Sequence, residues 1–267
     1  MEIIKYPDGQ INVKVETEDI TTRLVKQRIN SYEDLFKIAS LKEVLDIKHR
    51  SREAYSLEIP CLFGQRSDRR FSNNESFGLK QITDFINRMN FQKVSIFDPH
   101  SDVSLALINN SEKISSFEYV KQVVEDLGTE NLVLVSPDAG AYKKVFKYAE
   151  DLDLPLVAAN KFRDLQGKVS LNILGDVKDK TCLIIDDICD GGYTFYLLSK
   201  ALKEQGATVV NLYISHGYFS KGFNTPLELT DPESSLDKCI NRIYCTNSVK
   251  DLPEEVLSSF ITQYKII

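Results

Sequence analysis

The sequence lacks several features that mark whole classes of protein. It has no apolar run of the ~18 residues that a membrane-spanning helix needs. It has no excess of positive charge: 33 Lys and Arg stand against 39 Asp and Glu, giving a net charge of −6. That balance argues against a dedicated nucleic-acid binder, and 42% apolar residues exclude a disordered chain. The five cysteines form no CxxC pair, and 267 residues fold without disulfides. We therefore expect a cytoplasmic globular protein with buried free thiols.

What the sequence does contain is a regular alternation of strands and helices. An amphipathic strand at Ile11–Val15 follows a turn, and a helix is predicted over 31–47. From residue 56 onward, short apolar strands such as Leu132–Val135 alternate with amphipathic helices. Such alternation predicts an α/β fold with parallel sheets that helices cover on both faces. The number of strands suffices for two sheets, and we place the boundary in the polar segment 109–113. The predicted domains are residues 1–112 and 113–267.

One segment carries most of the predicted chemistry. Residues 184–194 read Ile-Ile-Asp-Asp-Ile-Cys-Asp-Gly-Gly-Tyr-Thr, so two carboxylates follow a buried strand and a Gly-Gly turn opens a helix. Glycines let backbone N–H groups converge on a phosphate, and the helix N-terminus adds partial positive charge. The two acids suit ribose hydroxyls or a hydrated metal ion. The chain contains neither a Walker A motif nor GxGxxG, so no P-loop or dinucleotide fold competes with this interpretation.

This segment resembles the fingerprint of type I phosphoribosyltransferases and phosphoribosyl pyrophosphate synthetases. Further segments resemble loops of the synthetases and follow one another in the family's order. They are the adenine-side turn Tyr6–Gln10, the ATP loop Phe63–Arg70, the magnesium loop Asp98–Asp102, the ribose loop Ser136–Gly140, the flexible loop Lys161–Arg163, and the segments Ser215–Ser220 and Tyr244–Asn247. The ATP loop is one residue shorter than usual, and Ser67 stands where Gln is common. Each motif alone is weak, but together they are specific.

The resemblance implies two phosphoribosyltransferase type I-like domains, an ATP side in 1–112 and an acceptor side in 113–267. It implies transfer of the β,γ-diphosphate of ATP to the anomeric hydroxyl of a ribose 5-phosphate group, with Mg²⁺ as cofactor and AMP as product. The implied catalytic residues are Lys161 and Arg163, and the implied ATP-binding residues are Tyr6, Asp8, Gln10, Arg66, Ser67, Asp68, Arg69 and His100. The implied acceptor residues are Asp138, Asp186, Asp187, Asp190, Gly191, Gly192, Tyr193 and Thr194, and the implied metal ligands are His100, Asp138 and Asp186.

One departure from the family pattern bears on the acceptor. The family's acceptor-phosphate loop usually reads Asp-Thr-Gly/Ala-Gly-Thr, whereas residues 190–194 read Asp-Gly-Gly-Tyr-Thr. A phosphate-binding hydroxyl is missing, and the aromatic ring of Tyr193 replaces a glycine. The ring offers a stacking surface for a substituent beyond the phosphate. Short phage-type relatives use ADP-ribose in NAD synthesis, so ADP-ribose is slightly preferred here over ribose 5-phosphate. The alternative is that Tyr193 only packs against its neighbours.

Two other functions stay open. A non-catalytic, synthetase-associated regulatory protein would typically lose the catalytic cations or the metal-binding histidine, but Lys161, Arg163 and His100 are all present. A phosphoribosyltransferase that consumes phosphoribosyl pyrophosphate would share only the 186–194 loop. The resemblance also implies a homodimer or larger assembly, because a neighbouring subunit lies near adenine in the family. No nucleic acid and no membrane is expected as a partner, and the location is the cytoplasm, or the host cytoplasm if a phage encodes the chain.

Overall fold

The computed structural model describes residues 2–15, 23–48, 54–163, 169–225, 227, 234–257 and 260–267, with backbone alone at 161–163 and 169–170. The chain divides into two compact units. Unit 1 comprises Met1–Ser115 together with Ile267, and unit 2 comprises Ser116–Ile266. Within the described ranges, no helix is both long enough and apolar enough to cross a membrane.

Unit 1 combines a hairpin with a small parallel sheet. Strands β1 and β2 pair antiparallel, and the sheet has the order β3-β4-β5-β6 with every pair parallel. Its elements are β1 (Glu2–Lys5), β2 (Ile11–Lys14), β3 (Leu24–Lys26), α1 (Tyr32–Lys48), β4 (Ser56–Ile59), α2 (Gly78–Arg88), β5 (Lys93–Phe97), α3 (Asp102–Leu107) and β6 (Ser111–Ile114).

Helices α1 and α2 contribute apolar side chains to the core of unit 1. Leu79, Ile82 and Ile86 of α2 are buried at helical spacing, and Leu57 and Ile59 of β4 join them in one cluster. Residues three or four apart share one face of a helix, so the predicted apolar face of α2 is the one that the core covers. The same packing holds the loop after β4 against the start of α2.

Unit 2 is built on a seven-stranded sheet of order β13-β12-β11-β10-β7-β8-β9. All its strand pairs are parallel except β8 with β9, which form an antiparallel hairpin. Its elements are α4 (Phe117–Leu127), β7 (Leu132–Ser136), α5 (Ala139–Leu152), β8 (Leu156–Arg163), β9 (Val169–Leu174), β10 (Thr181–Cys189), α6 (Tyr193–Glu204), β11 (Val209–Gly217), α7 (Leu236–Cys239), β12 (Arg242–Thr246) and β13 (Ile261–Tyr264).

Continuous apolar strands in unit 2 are buried on both faces. Leu132 and Leu134 of β7 belong to a cluster that includes side chains of α4 and α5, whereas Val133 and Val135 belong to a cluster that includes side chains of α6. Successive side chains of a strand point to opposite faces of the sheet, so one apolar strand contributes side chains to two hydrophobic cores. This arrangement confirms the predicted α/β class and leaves the carboxyl ends of β7 and β10 free to carry polar loops.

Three local predictions need correction. The sheets were predicted to be parallel, but β9 runs antiparallel to β8. The segment 109–113 was predicted to be a connection, but its second half begins the edge strand β6. The helical spacing of Tyr142, Val145, Phe146 and Ala149 predicts that all four line one packed face of α5, but Tyr142 and Phe146 are 44% and 43% exposed. Edge strands carry polar residues, so the hydrophobic pattern does not reveal them.

Candidate active site

The acceptor loop of unit 2 joins the end of β10 to the start of α6. Asp186 and Asp187 lie in the second half of β10, and the Asp187 backbone N–H donates to Asp186 Oδ1 over 2.9 Å. Asp187 is buried, and Asp190 is exposed at the turn. In an open parallel sheet, ligands bind at the carboxyl ends of the strands. The two adjacent carboxylates therefore stand where the fold places a ligand.

The electrostatics of this pair are unusual. Burial raises the pKa of Asp186 well above its ordinary value, and the neighbouring charge of Asp187 raises it further. Lys144 on α5 acts in the opposite direction and lowers it. Two adjacent carboxylates that repel each other gain from a partner that supplies positive charge or hydrogen-bond donors. Ribose hydroxyls and hydrated divalent cations are partners of this kind.

Gly191 and Gly192 have different structural roles in this loop. Gly192 has a φ of +87°, and a Cβ there would lie 2.7 Å from Leu236 Cδ1. Gly191 has no such backbone angle, and a Cβ there would meet only the side chain of Lys221 at 3.7 Å or more. Gly192 also receives the first hydrogen bonds of α6 at its carbonyl, from Phe195 and Tyr196. Its conformation therefore sets where the N–H groups of α6 begin.

Asp138 follows β7 and begins α5. Its Oδ1 accepts a hydrogen bond of 2.9 Å from the Ala141 backbone, and Ser136 Oγ donates to the Asp138 carbonyl over 2.8 Å. An N-cap of this kind stabilises a helix by about 1 kcal/mol. Asp138 is exposed, so its second carboxylate oxygen can also reach a ligand.

In unit 1, the loop after β4 contacts the loop after β5. Gln65 is 2% exposed, and its Oε1 accepts the His100 backbone N–H over 3.0 Å. Asp98 is fully buried and its backbone N–H donates to the Ile114 carbonyl over 2.9 Å. Gly64, in the loop after β4, has a φ of +73°. These contacts hold the exposed residues Arg66 and His100 at one end of the unit 1 sheet.

Asp68 and Arg69 form an ion pair within the same loop. Arg69 Nε donates to Asp68 Oδ1 over 2.7 Å, and Arg69 Nη2 donates to Asp68 Oδ2 over 3.0 Å. The guanidinium of Arg69 holds the pKa of Asp68 below its ordinary value, with Ser101 and His100 acting in the same direction. Asp68 is buried and Arg69 is exposed, so the pair presents a positioned cation to solvent.

Two further sets of predicted residues lie on hairpins. Tyr6, Asp8 and Gln10 are exposed in the turn between β1 and β2, where Asp8 Oδ1 accepts the Gln10 backbone N–H over 3.0 Å. Lys161 and Arg163 occupy the end of β8, where their backbones pair with Leu171 and Val169 of β9. Their side chains lie outside the described residues.

The residues described contain no cluster of three or more His, Cys, Asp or Glu side chains arranged to hold a metal ion. Magnesium is commonly held by one or two carboxylates and keeps several waters. The adjacent, mutually repelling carboxylates of Asp186 and Asp187 fit that requirement. Asp138 and His100, the other two predicted metal ligands, are exposed.

Comparisons with known proteins identify the domain family of the chain. The sequence profile of the phosphoribosyl transferase domain matches residues 108–244. Ribose-phosphate pyrophosphokinase of Mycoplasma genitalium is 30% identical over 217 residues, which cover 80% of this chain and 64% of that protein. The corresponding protein of Thermosipho africanus is 28% identical over 95% of this chain and 80% of its own length. The chain belongs to the phosphoribosyl transferase domain family, and along most of its length it is similar to ribose-phosphate pyrophosphokinases.

The fold of this member of the phosphoribosyl transferase domain family matches a solved structure. Phosphoribosylpyrophosphate synthetase from Mycobacterium smegmatis superposes with a TM-score of 0.80 and 22% identity, over 99% of this chain and 85% of that one. This likeness confirms the predicted fold. The chain spans 64% of the length of the Mycoplasma genitalium protein and of its Mycoplasma pneumoniae counterpart.

Three residues of this family member escaped the sequence-based prediction of the site. Gln65 was read only as part of the ATP loop, but it is the hydrogen-bond acceptor for His100. Lys144 is the cation that acts on Asp186, and Lys221 lies against Gly191. Single glutamines and lysines carry no local signal, because the partner that gives each its role is distant in sequence.

A pocket of about 580 Å³ also opens beside Asp138. Tyr142 and Phe146 of α5 line one side, with ring centroids 6.1 Å apart and an interplanar angle of 30°. Ala158 and Asn160 of β8 line another side. The exposed rings of Tyr142 and Phe146 on α5 therefore line this pocket.

Proposed function

We propose that the protein is a magnesium-dependent pyrophosphokinase that transfers the β,γ-diphosphate of ATP to a ribose 5-phosphate group. The observation that carries this proposal is the acceptor loop, in which Asp186 and Asp187 precede a glycine turn at the start of α6. In the reaction, the anomeric oxygen attacks the β-phosphorus of ATP and loses its proton. The bond from the β-phosphorus to the α,β-bridging oxygen breaks, and AMP leaves.

The chain's own residues divide between the two substrates. We assign ATP to the exposed cations Arg66 and Arg69 and to His100, with Ser67, Asp68 and the turn residues Tyr6, Asp8 and Gln10 around it. Asp186 and Asp187 accept hydrogen bonds from ribose hydroxyls, while Asp190, Gly191, Gly192 and Thr194 surround the 5-phosphate. Asp138 lies beside the ribose. Backbone N–H groups at a helix N-terminus bind phosphate without further charge.

Lys161 and Arg163 are assigned to the transferring phosphoryl group. Charge spreads over the phosphoryl oxygens in the transition state, and nearby cations stabilise it. Their place at the end of β8, in a hairpin with β9, supports a role as an arm that closes over the substrate. Closure would also exclude water and limit hydrolysis of ATP.

Magnesium, when bound, would shield the charge of the ATP phosphates. Asp186 and Asp138 of unit 2 are assigned to hold magnesium at the acceptor, and His100 of unit 1 is assigned to hold it on ATP, directly or through its waters. The repulsion between Asp186 and Asp187 supports a cation at the acceptor side. Removal of magnesium by a chelator should abolish AMP formation.

The acceptor itself is the finer question. Tyr193 is 42% exposed at the first position of α6, beside the glycine turn. An exposed ring at that position supports an acceptor with a group beyond the 5-phosphate, and ADP-ribose has such a group. The product would then be ADP-ribose pyrophosphate, a compound suited to NAD synthesis. Ribose 5-phosphate, giving phosphoribosyl pyrophosphate, is the other candidate.

A side-by-side acceptor assay tests the whole proposal. Purified protein is incubated with ATP, magnesium and either ADP-ribose or ribose 5-phosphate, and AMP is measured. AMP should form only with an acceptor and magnesium present. If neither acceptor elicits AMP, the protein is not this enzyme, and a regulatory or phosphoribosyltransferase role takes its place.

Assembly and location follow from the same proposal. The turn Tyr6–Gln10 is exposed and would contact adenine across a subunit interface in a homodimer or larger assembly. The five cysteines are buried thiols rather than disulfides, which supports a reducing compartment such as the cytoplasm.

A further inference from the structure

The segment after β11 runs beside the acceptor loop and is anchored to it. Tyr218 and Phe219 donate backbone N–H groups to the Cys189 carbonyl over 2.9 and 3.2 Å, and Ser220 donates to the Asp190 carbonyl over 3.1 Å. The ring of Phe219 is buried and lies 4.7 Å from that of Phe223. Residues 218–220 are therefore held in a fixed position beside residues 189–190.

Lys221 is the next residue, and its side chain extends along Gly191. Its Cδ and Cε lie 3.7 and 3.8 Å from the position that a Cβ on Gly191 would take. The ammonium group is one bond of about 1.5 Å beyond Cε, so it stays within reach of the glycine turn. Lys221 is exposed and forms no ion pair with any residue that the structure describes.

The two candidate acceptors differ in how negative charge is distributed over their phosphates, and this difference indicates a role for Lys221. Ribose 5-phosphate carries about two negative charges on one phosphate, whereas a diphosphate ester carries one on each of two phosphates. The glycine turn and the α6 N-terminus provide backbone donors for the first phosphate. A second phosphate would extend outward from the turn, where Lys221 and Tyr193 are the exposed side chains on its flanks.

We propose that Lys221 is a specificity-determining residue whose ammonium group binds the second phosphate of a ribose 5-diphosphate ester, as found in ADP-ribose. This inference rests on the proposed function, because it assumes that the 190–194 loop holds the acceptor's 5-phosphate. A lysine suits the task, since its flexible stem lets three donors follow a phosphate that varies in position.

The test compares Lys221→Gln with a matched variant, Lys203→Gln, which removes the same charge from the last turn of α6. Calorimetry measures the binding of ADP-ribose and ribose 5-phosphate to each protein. Loss of a charge-assisted hydrogen bond should raise the Kd for ADP-ribose about tenfold in Lys221→Gln. The Kd for ribose 5-phosphate should change less than about twofold, and Lys203→Gln should alter neither value. Lys221→Arg keeps the charge and should retain most of the ADP-ribose affinity.

Three outcomes would overturn the inference. An equal loss of affinity for both acceptors would assign Lys221 to the shared 5-phosphate, and unchanged affinities would remove it from the site. Failure of the wild-type protein to bind ADP-ribose would also refute it. Because binding needs no turnover, these results are independent of the AMP assay. A protein that binds ADP-ribose through Lys221 but forms no AMP would refute only the proposed reaction.

Discussion

At the scale of single residues, Lys161 is the side chain with the largest predicted effect on rate. Its role is inferred from its position in the β8–β9 hairpin and from the family pattern. Lys161→Ala should lower kcat about 100-fold, because one lost electrostatic contact to a transition state costs that much. The Kd for ATP should change little. The measurements are steady-state AMP production and nucleotide binding.

Lys147→Ala is the matched control for Lys161→Ala, since Lys147 is 71% exposed and paired with Asp151 on α5. It should keep the wild-type rate. A Lys161 variant that turns over at the same speed as the control would remove Lys161 from the mechanism.

Tyr193 is the residue that should set the preference between acceptors. Its ring is 42% exposed and lies 6.2 Å from that of the buried Tyr196. Tyr193→Gly should shift the ratio of kcat/KM values toward ribose 5-phosphate about fivefold to tenfold, the worth of one aromatic contact. Tyr193→Phe keeps the ring and should preserve the ratio. An unchanged ratio in Tyr193→Gly would mean that the ring only packs.

At the scale of elements, the turn before α6 makes a prediction that separates its two glycines. Gly192→Ala should lower the free energy of unfolding by about 1–3 kcal/mol, because a side chain is strained at positive φ and would crowd Leu236. Gly191→Ala should cost less than about 1 kcal/mol, since its Cβ meets only a flexible lysine. Urea unfolding followed by circular dichroism measures both.

Gly191→Ala is the matched control for Gly192→Ala, because each variant replaces one hydrogen by one methyl group in the same turn. Equal stability losses would show that the turn does not depend on the backbone angle of Gly192. A loss confined to Gly192→Ala, accompanied by weaker acceptor binding, would tie the α6 N-terminus to the phosphate.

Strands that are buried on both faces were predictable from the sequence, whereas strands at the edge of a sheet were not. The run Leu132–Val135 predicted β7 because both of its faces need apolar residues. By contrast, β6 reads Ser-Glu-Lys-Ile and pairs on one side only, so the sequence offers no periodicity to detect. The hairpin direction of β9 was missed for a related reason, since alternation indicates a strand but not its orientation.

The candidate site also contains parts that were predictable from the sequence and parts that were not. The loops that follow β7, β10 and β5 were predictable, because acids and glycines after a buried strand are a local pattern. Gln65, Lys144 and Lys221 were not, since each acts on a residue at least 30 positions away. Long-range contacts of this kind depend on the packing of loops, which local sequence does not encode.

At the scale of the whole molecule, the cysteines report on the integrity of unit 2. Cys182, Cys239 and Cys245 are buried there, and burial raises the pKa of their thiols to about 12, 11 and 12. Burial likewise raises the pKa of Cys189. Because the thiolate is the reactive form, a raised pKa and a lack of access both slow modification.

We therefore expect the native protein to resist a thiol reagent such as DTNB at pH 8. All five cysteines are buried, so on average less than one thiol per protein molecule should react within minutes. In guanidinium, all five thiols should react. A variant with an exposed thiol, Lys203→Cys, should add one fast-reacting group and so verify the assay. Raising the pH to 9 should accelerate that group, whereas the five native thiols should stay slow because their reaction awaits opening of the fold. Rapid reaction of a native thiol at pH 8 would show that one of these cores opens readily.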